Sequence, residues 1–257
     1  MVKMIFSDFD YTLMDYYSDK NYFDDYQIEI IKKIKEKGIK FSIVSGRCVS
    51  FFNQFPNLLE VVDYILGSNG SCIYDVQNKE YIHTNLIDKD EFNKLISYSI
   101  ENNYEFILNC VDKRYKYGKF DDLNMLNYEE GKDYDCEQVI LFLNKIYNDD
   151  FVKHFEYYNT ICINNGGFWG DICTFDINDN GVSKGNAIRW LCNELDIDKE
   201  DTIGFGDGIN DVSMFEEVGK SIVVNNASDN VKNQADDVTL SYSDYGVFKY
   251  IENNFLK

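Results

Sequence analysis

Four short polar clusters carry the side chains best suited to chemistry. Asp8 and Asp10 follow the apolar run Val2–Phe6, and Ser45-Gly46-Arg47 follows Ile39–Val44. Ser183-Lys184 opens a stretch of helical spacing, and Asp207, Asn210 and Asp211 follow Thr202–Phe205. Taken singly, each has an ordinary explanation. Asp-x-Asp after a strand is turn chemistry, Ser-Gly-Arg is a loop ending in a helix cap, Ser183-Lys184 is a cap with a solvated lysine, and aspartates favour a helix N-terminus. What turn chemistry does not explain is the joint arrangement, in which all four are expected at the carboxyl edge of one sheet. In an open α/β sheet, ligands bind beyond the carboxyl ends of the strands. Asp8 and Asp10, two apart on an extended segment, are expected to point to the same side.

Gathering Asp8, Asp10, Asp207 and Asp211 would be electrostatically unfavourable. Two unit charges 4 Å apart repel by about 4 kcal/mol at an effective dielectric near 20, so the carboxylates either protonate or share a cation. An all-oxygen donor set suits Mg²⁺, which takes one or two carboxylates together with substrate phosphate and water. A divalent cation, a lysine and a serine hydroxyl around two carboxylates point to phosphoryl transfer. One carboxylate attacks phosphorus, a neighbour handles the leaving group's proton, and the cations neutralise the charge that spreads over the transferring group.

The elements that must position these residues are legible from periodicity. Val2–Phe6, Ile39–Val44, Tyr64–Leu66, Thr202–Phe205 and Ser221–Val224 read as buried strands. Gln27–Lys37, Gly185–Leu195 and Asp211–Val218 read as helices, with Gly38 ending the first. A Tyr-rich polar stretch lies between the first strand and the first helix. This β-α-β order predicts an α/β sheet with right-handed crossovers. The pattern changes between residues 77 and 180, where strand-like runs (Phe106–Leu108, Val139–Leu143, Ile161–Ile163, Ile172–Phe175) alternate with helical stretches such as Asp90–Asn102. The expected organisation is an α/β unit of residues 1–76 and 181–257, with an α+β unit of residues 77–180 inserted into it.

Composition removes other classes of function. The 257 residues include 45 Asp and Glu against 25 Lys and Arg, a formal charge of −20, which repels nucleic acid and acidic lipid surfaces. No run approaches the ~18 apolar residues of a membrane span, and the apolar start ends at Asp8, short of a secretory signal. Seven scattered cysteines with no C-x-x-C pair read as buried thiols of a reducing compartment, which makes a cytoplasmic protein the expectation. His83 and His154 lack metal-ligand spacing. Gly166-Gly167-Phe168-Trp169-Gly170 reads as a flexible aromatic loop, and Lys113–Tyr117, the densest basic stretch, as a solvated hairpin.

Together these motifs resemble the haloacid dehalogenase (HAD) phosphatase superfamily, and within it the Cof-type branch with a large α+β cap. Asp8-Phe9-Asp10-Tyr11-Thr12-Leu13, Ser45-Gly46-Arg47, Ser183-Lys184-Gly185 and Gly206-Asp207-Gly208-Ile209-Asn210-Asp211 match the family's four motifs in order. Asn69-Gly70, Asn226-Ala227, Ala235–Thr239 and Tyr245–Val247 resemble features of the branch. The resemblance implies a Rossmann-like parallel-sheet core whose cap selects the substrate. It also implies a Mg²⁺-dependent phosphomonoesterase for a small phosphorylated metabolite, such as a sugar phosphate or a phosphorylated cofactor. By the same resemblance Asp8 is the nucleophile and Asp10 the acid–base. Ser45, Gly46, Lys184 and Asn210 contact the phosphoryl group, and Lys184 also orients Asp8. The metal ligands are Asp8, the Asp10 backbone carbonyl and Asp207, with Asp211 an alternative ligand or one step removed from the ion. Tyr11 departs from the pattern, standing where the family usually has glycine. A phosphomutase and a non-catalytic phosphate-sensing module stay open as alternatives, as does the oligomeric state.

Overall fold

The computed structural model describes residues 1–14, 23–111, 113–120, 124–144, 148–155 and 161–257, so the Tyr-rich stretch at 15–22 lies outside the described residues. In chain order the strands are β1 (Met4–Ser7), β2 (Lys40–Val44), β3 (Tyr64–Gly67), β4 (Cys72–Asp75), β5 (Glu80–Thr84), β6 (Glu105–Cys110) and β7 (Lys113–Tyr117). They continue as β8 (Leu126–Asn127), β9 (Cys136–Asn144), β10 (Ile161–Trp169), β11 (Ile172–Asp179), β12 (Thr202–Gly206), β13 (Lys220–Val224) and β14 (Asp237–Thr239). The α-helices are α1 (Asp25–Glu36), α2 (Pro56–Leu59), α3 (Lys89–Glu101), α4 (Asn148–Phe155), α5 (Lys184–Glu194), α6 (Val212–Phe215), α7 (Asp229–Lys232) and α8 (Gly246–Ile251). The chain divides into two compact units, Met1–Ile82 with Ser183–Lys257, and His83–Val182.

The first unit is built on a sheet of order β14-β13-β12-β1-β2-β3-β4-β5. Pairing is parallel from β14 through β3 and antiparallel between β3 and β4. Alternation along the strands feeds two cores. Ile5, Ile43, Ile203, Phe205 and Ile222 pack with α1 and α8. Met4, Phe6, Val44 and Val223 pack with α5 and α6 on the opposite face. Burial on both faces is why these strands read as continuous apolar runs. Helix α1 begins at a capping box, with the Gln27 amide N–H donating to Asp24 Oδ1 and the Asp24 amide N–H to Gln27 Oε1, both at 3.0 Å. It buries Ile28, Ile31 and Ile34 as their spacing predicts, and stops before Gly38 at φ 79°. The expected helix at Asp211–Val218 is shorter, a 3₁₀ turn Ile209–Asp211 leading into α6.

The second unit carries a sheet of order β10-β11-β9-β6-β7-β8, antiparallel except where β8 runs parallel to β7. Phe106, Leu108, Val139, Leu141, Phe175 and Ile177 form its apolar face, packed with Phe92, Leu95 and Ile96 of α3 and Phe151 and Phe155 of α4. One expectation is corrected here. Gly166–Trp169 is the second half of β10, paired to β11 across a bulge between Asn165 and Gly167, and the turn itself is only Gly170-Asp171. The glycines mark that bulge, a role glycine in a strand often has, and not a loop. Lys113–Tyr117 is the strand β7 of a hairpin with β6.

Candidate active site

Register decides which residues meet. Ser7 lies opposite Ile43 on β2 and opposite Phe205 on β12. Asp8, Ser45 and Asp207 therefore leave the sheet at one edge, where parallel strands end together. The Asp8 amide N–H donates to Phe205 O at 2.8 Å and the Ser45 amide to Leu66 O at 2.9 Å, so both backbones stay tied to the sheet. Lys184 is the first residue of α5, and the Ser183 hydroxyl caps that helix by accepting from the Asn186 amide at 3.1 Å. Glycine is required beside it, because a Cβ on Gly185 would stand 2.1 Å from Ser213 O on α6. Without that close approach α5 could not deliver Lys184 to the sheet edge. Likewise a Cβ on Gly206 would lie 2.5 Å from Asp211 Cγ.

The result is a buried charge cluster. Asp8, Asp207 and Asp211 each offer an oxygen within 4.8 Å of the others, the one such group among the described residues. Lys184, 1% exposed, donates from Nζ to Asp8 Oδ1 at 2.5 Å and to Asp211 Oδ1 at 2.6 Å. Asp211 Oδ2 accepts the amides of Asp207 and Gly208 at 2.9 and 2.8 Å, so Asp211 shapes the loop that presents Asp207. The Thr12 hydroxyl donates to Asp207 Oδ1 at 3.0 Å.

Three carboxylates against one ammonium leave a formal −2. Burial pushes the Asp8 carboxyl well above its ordinary range, with Lys184 opposing and Asp211 and Asp207 adding to the rise. Burial, then Asp211, lifts Asp207 to about 6. Burial works against the Lys184 ammonium, but Asp211 and Asp8 outweigh it and raise its pKa. A divalent cation among these oxygens would reverse the carboxylate shifts. Hard oxygen donors and a surplus of two negative charges therefore fit such an ion.

A prediction follows from the sign of the Asp207 shift. Folded Asp207 binds its proton more tightly than the unfolded chain does, so without metal it subtracts stability as pH rises from about 4 to about 6. Metal-free Asp207→Asn should match wild type near pH 4 and exceed it at pH 7, by an amount on the order of 2–3 kcal/mol. Added Mg²⁺ should raise the melting temperature of wild type more than that of the variant. Denaturation curves at several pH values check this, and a difference between the two proteins that does not change with pH would count against it.

The carboxylate of Asp10 does not join the cluster. The chain leaves β1 at Asp8, and Asp10 opens a turn that closes on Met14. Instead Arg47 donates from Nε and Nη2 to both Asp10 oxygens at 3.0 Å. The Ser45 hydroxyl, 1% exposed, accepts the Arg47 amide at 3.1 Å, and Gly46 lies between them in a half-exposed bend. Asn210 is exposed at the same edge and donates from Nδ2 to Asn69 Oδ1 at 3.3 Å. Tyr11 holds φ 58°, in the region glycine favours, with its ring 5.9 Å from that of Tyr242 and its carbonyl accepting from Asn226 at 2.9 Å.

Sequence reasoning assigned no role to Thr12 or Ser213. Ser213 links α5 to the Asp207 loop, accepting the Gly185 amide at 3.3 Å and donating to Asn210 O at 3.2 Å. Asp207 lies 195 residues from Thr12 and Gly185 lies 28 from Ser213, so no local pattern announces either contact. His83 pairs with Asn85 in the second unit, and His154 stacks on Tyr98 at 4.1 Å. Cys48, Cys72, Cys110, Cys136, Cys173 and Cys192 are not joined in disulfides; the side chain of Cys162 lies outside the description. No described helix is long and apolar enough to cross a membrane.

Comparison with known proteins agrees with this geometry. A family profile for haloacid dehalogenase-like hydrolases matches residues 5–251. The chain is 28% identical over 230 residues to a phosphoglycolate phosphatase of Methanobrevibacter smithii, covering 88% of each protein. It is 25% identical over 253 residues to 5-amino-6-(5-phospho-D-ribitylamino)uracil phosphatase YcsE of Bacillus subtilis, covering 98% of this chain and 95% of that protein. Among solved folds, the HAD subclass IIB sugar phosphatase BT4131 superposes with a TM-score of 0.81 at 20% identity, over 98% of both chains. A haloacid dehalogenase-like hydrolase from B. subtilis does so with a TM-score of 0.85 at 21% identity, over 99% of this chain and 100% of that one. With its motifs on one sheet edge and a family match spanning nearly its whole length, the chain belongs to the haloacid dehalogenase-like hydrolases and is a phosphatase of that family.

Proposed function

We propose that the protein is a Mg²⁺-dependent phosphomonoesterase that hydrolyses a small phosphorylated metabolite, a sugar phosphate or a phosphorylated cofactor, through an aspartyl-phosphate at Asp8. The observation that carries this reading is the buried Lys184 ammonium bridging Asp8 and Asp211 beside Asp207. It orients one carboxylate and leaves the surplus of negative charge that a cation and an attacking group require. Asp8, Asp207 and the Asp10 backbone carbonyl would hold Mg²⁺, with Asp211 an alternative ligand. When bound, the ion would supply charge neutralisation to the transferring phosphoryl group.

The chain's own residues account for the remaining steps. A carboxylate oxygen of Asp8 bonds to phosphorus as the bond from phosphorus to the ester oxygen breaks, and Asp10 donates a proton to the departing oxygen. Asp10, now anionic, takes a proton from water, whose oxygen attacks phosphorus and releases phosphate and free Asp8. Ser45, the Gly46 backbone, Lys184 and Asn210 would contact the phosphoryl oxygens.

In this reading residues 1–76 and 181–257 do the chemistry, and residues 77–180 form the cap that selects the leaving group. Described cysteines outside any disulfide and the −20 charge support a cytoplasmic protein without nucleic-acid or membrane partners. Purified protein with Mg²⁺ should release inorganic phosphate from p-nitrophenyl phosphate and from members of a sugar-phosphate panel, and EDTA should suppress that release. Metal-independent turnover, or none across the panel, would refute the proposal.

A further inference from the structure

The Asp10–Arg47 pair has a support of its own. The guanidinium meets Asp10 edge-on through Nε and Nη2, and its Cζ sits 4.6 Å above the centre of the Phe51 ring. Phe51 in turn packs edge-on against Phe9 and Phe52, at 5.9 and 5.4 Å between ring centres. Phe9, fully buried between Asp8 and Asp10 in sequence, also touches Phe23, Phe52 and Phe55. One aromatic cluster thus braces both the turn that carries the two aspartates and the arginine that holds the second of them. The pair itself is partly covered, with side chains 27% and 25% exposed. A planar two-point grip of this kind fixes a carboxylate's orientation.

We propose that Arg47 is a positioning residue for Asp10, kept in line by Phe51, and that it governs proton delivery to the leaving group instead of gripping the phosphoryl group. This rests on the phosphatase reading above, in which Asp10 is the acid–base. Its consequence depends on the leaving group. An alkoxide needs Asp10's proton to depart, but p-nitrophenolate departs without one. Misplacing Asp10 should therefore slow transfer to Asp8, which kcat/KM reads, far more for alkyl phosphates than for p-nitrophenyl phosphate, while hydrolysis of the shared aspartyl-phosphate slows alike for both.

The test compares Arg47→Ala, Arg47→Lys and Phe51→Leu with wild type on a hexose phosphate turned over by the wild-type protein and on p-nitrophenyl phosphate, both with saturating Mg²⁺. For Arg47→Ala, kcat/KM on the hexose phosphate should fall about 10–100-fold, and kcat/KM on p-nitrophenyl phosphate no more than about threefold. Arg47→Lys, which cannot make the two-point grip, should recover less than half of that loss. Phe51→Leu should show the same leaving-group bias at smaller size, and adding it to Arg47→Ala should change nothing further. Melting temperatures within about 2 °C of wild type, with the Mg²⁺-induced rise intact, would show that the fold and the metal site are undisturbed.

A KM that rises in parallel on both esters would make Arg47 a phosphate contact and overturn the assignment. Equal kcat/KM losses on both esters, or full recovery by lysine, would overturn it too. Wild-type protein that released phosphate from neither ester would refute the phosphatase reading and this assignment together. Any of the former outcomes with an active wild type would refute the assignment alone.

Discussion

Replacing Asp8 with asparagine should lower phosphate release by about 10⁴-fold or more, because the amide cannot attack phosphorus and no neighbouring carboxylate occupies its place. The same change should leave metal-free stability unchanged or improve it. Burial is the main reason the folded protein resists ionising Asp8, and its repulsion by Asp211 and Asp207 adds to that. A neutral isostere removes both penalties while giving up one of the two Lys184 contacts. Activity and stability should therefore move apart, as expected where a site holds unfavourable charge for function. Phosphate-release assays beside melts in EDTA and in Mg²⁺ check this. In Mg²⁺ the variant should gain less than wild type, having lost a proposed ligand. Comparable turnover by Asp8→Asn and wild type would dismiss Asp8 as the nucleophile, and a large loss of metal-free stability would dismiss the electrostatic account of the site.

Lys184→Met should do the opposite to stability. The ammonium is the partner of both Asp8 and Asp211, which are 6% and 0% exposed. Removing one member of a buried ion network leaves uncompensated charge and costs about 3–5 kcal/mol. Activity should be lost as well, since Asp8 loses the group that orients it. The stability deficit should shrink toward pH 5, where Asp8, already raised in proton affinity, takes up a proton more readily. It should also shrink with Mg²⁺ at pH 7, where the ion replaces part of the missing positive charge. Urea titrations at two pH values, with and without the ion, read both effects. A deficit below about 1 kcal/mol at pH 7 would show that the network is balanced without the lysine.

Much of the catalytic edge was legible because parallel-sheet chemistry concentrates at strand ends. The runs before Asp8, Ser45 and Asp207 are apolar on both faces, and that pattern announces a strand, its end and its burial together. Ile28, Ile31 and Ile34, with Gly38 behind them, were sufficient to place α1. Short or half-exposed strands such as β5, β8 and β14 were not legible, since an edge strand of two to five residues has no continuous apolar face. Gly166–Trp169 misled for a related reason: glycine signals a turn and a bulge equally well.

Residue types and order alone determined that four polar motifs would meet at a sheet edge, and that their acidic surplus would call for a cation. By resemblance they also made Asp8 the nucleophile, oriented by Lys184, and Asp10 the acid–base. They gave no partner for the Asp10 carboxylate, which the fold pairs with Arg47. That pairing depends on where β1 ends and on an aromatic cluster assembled around Phe9. Thr12 and Asp207, 195 residues apart, meet only because β1 and β12 run side by side in register. Local chemistry is written into the chain at short range, but partners are assigned by packing between distant segments, and only the folded sheet and its cores bring those segments together.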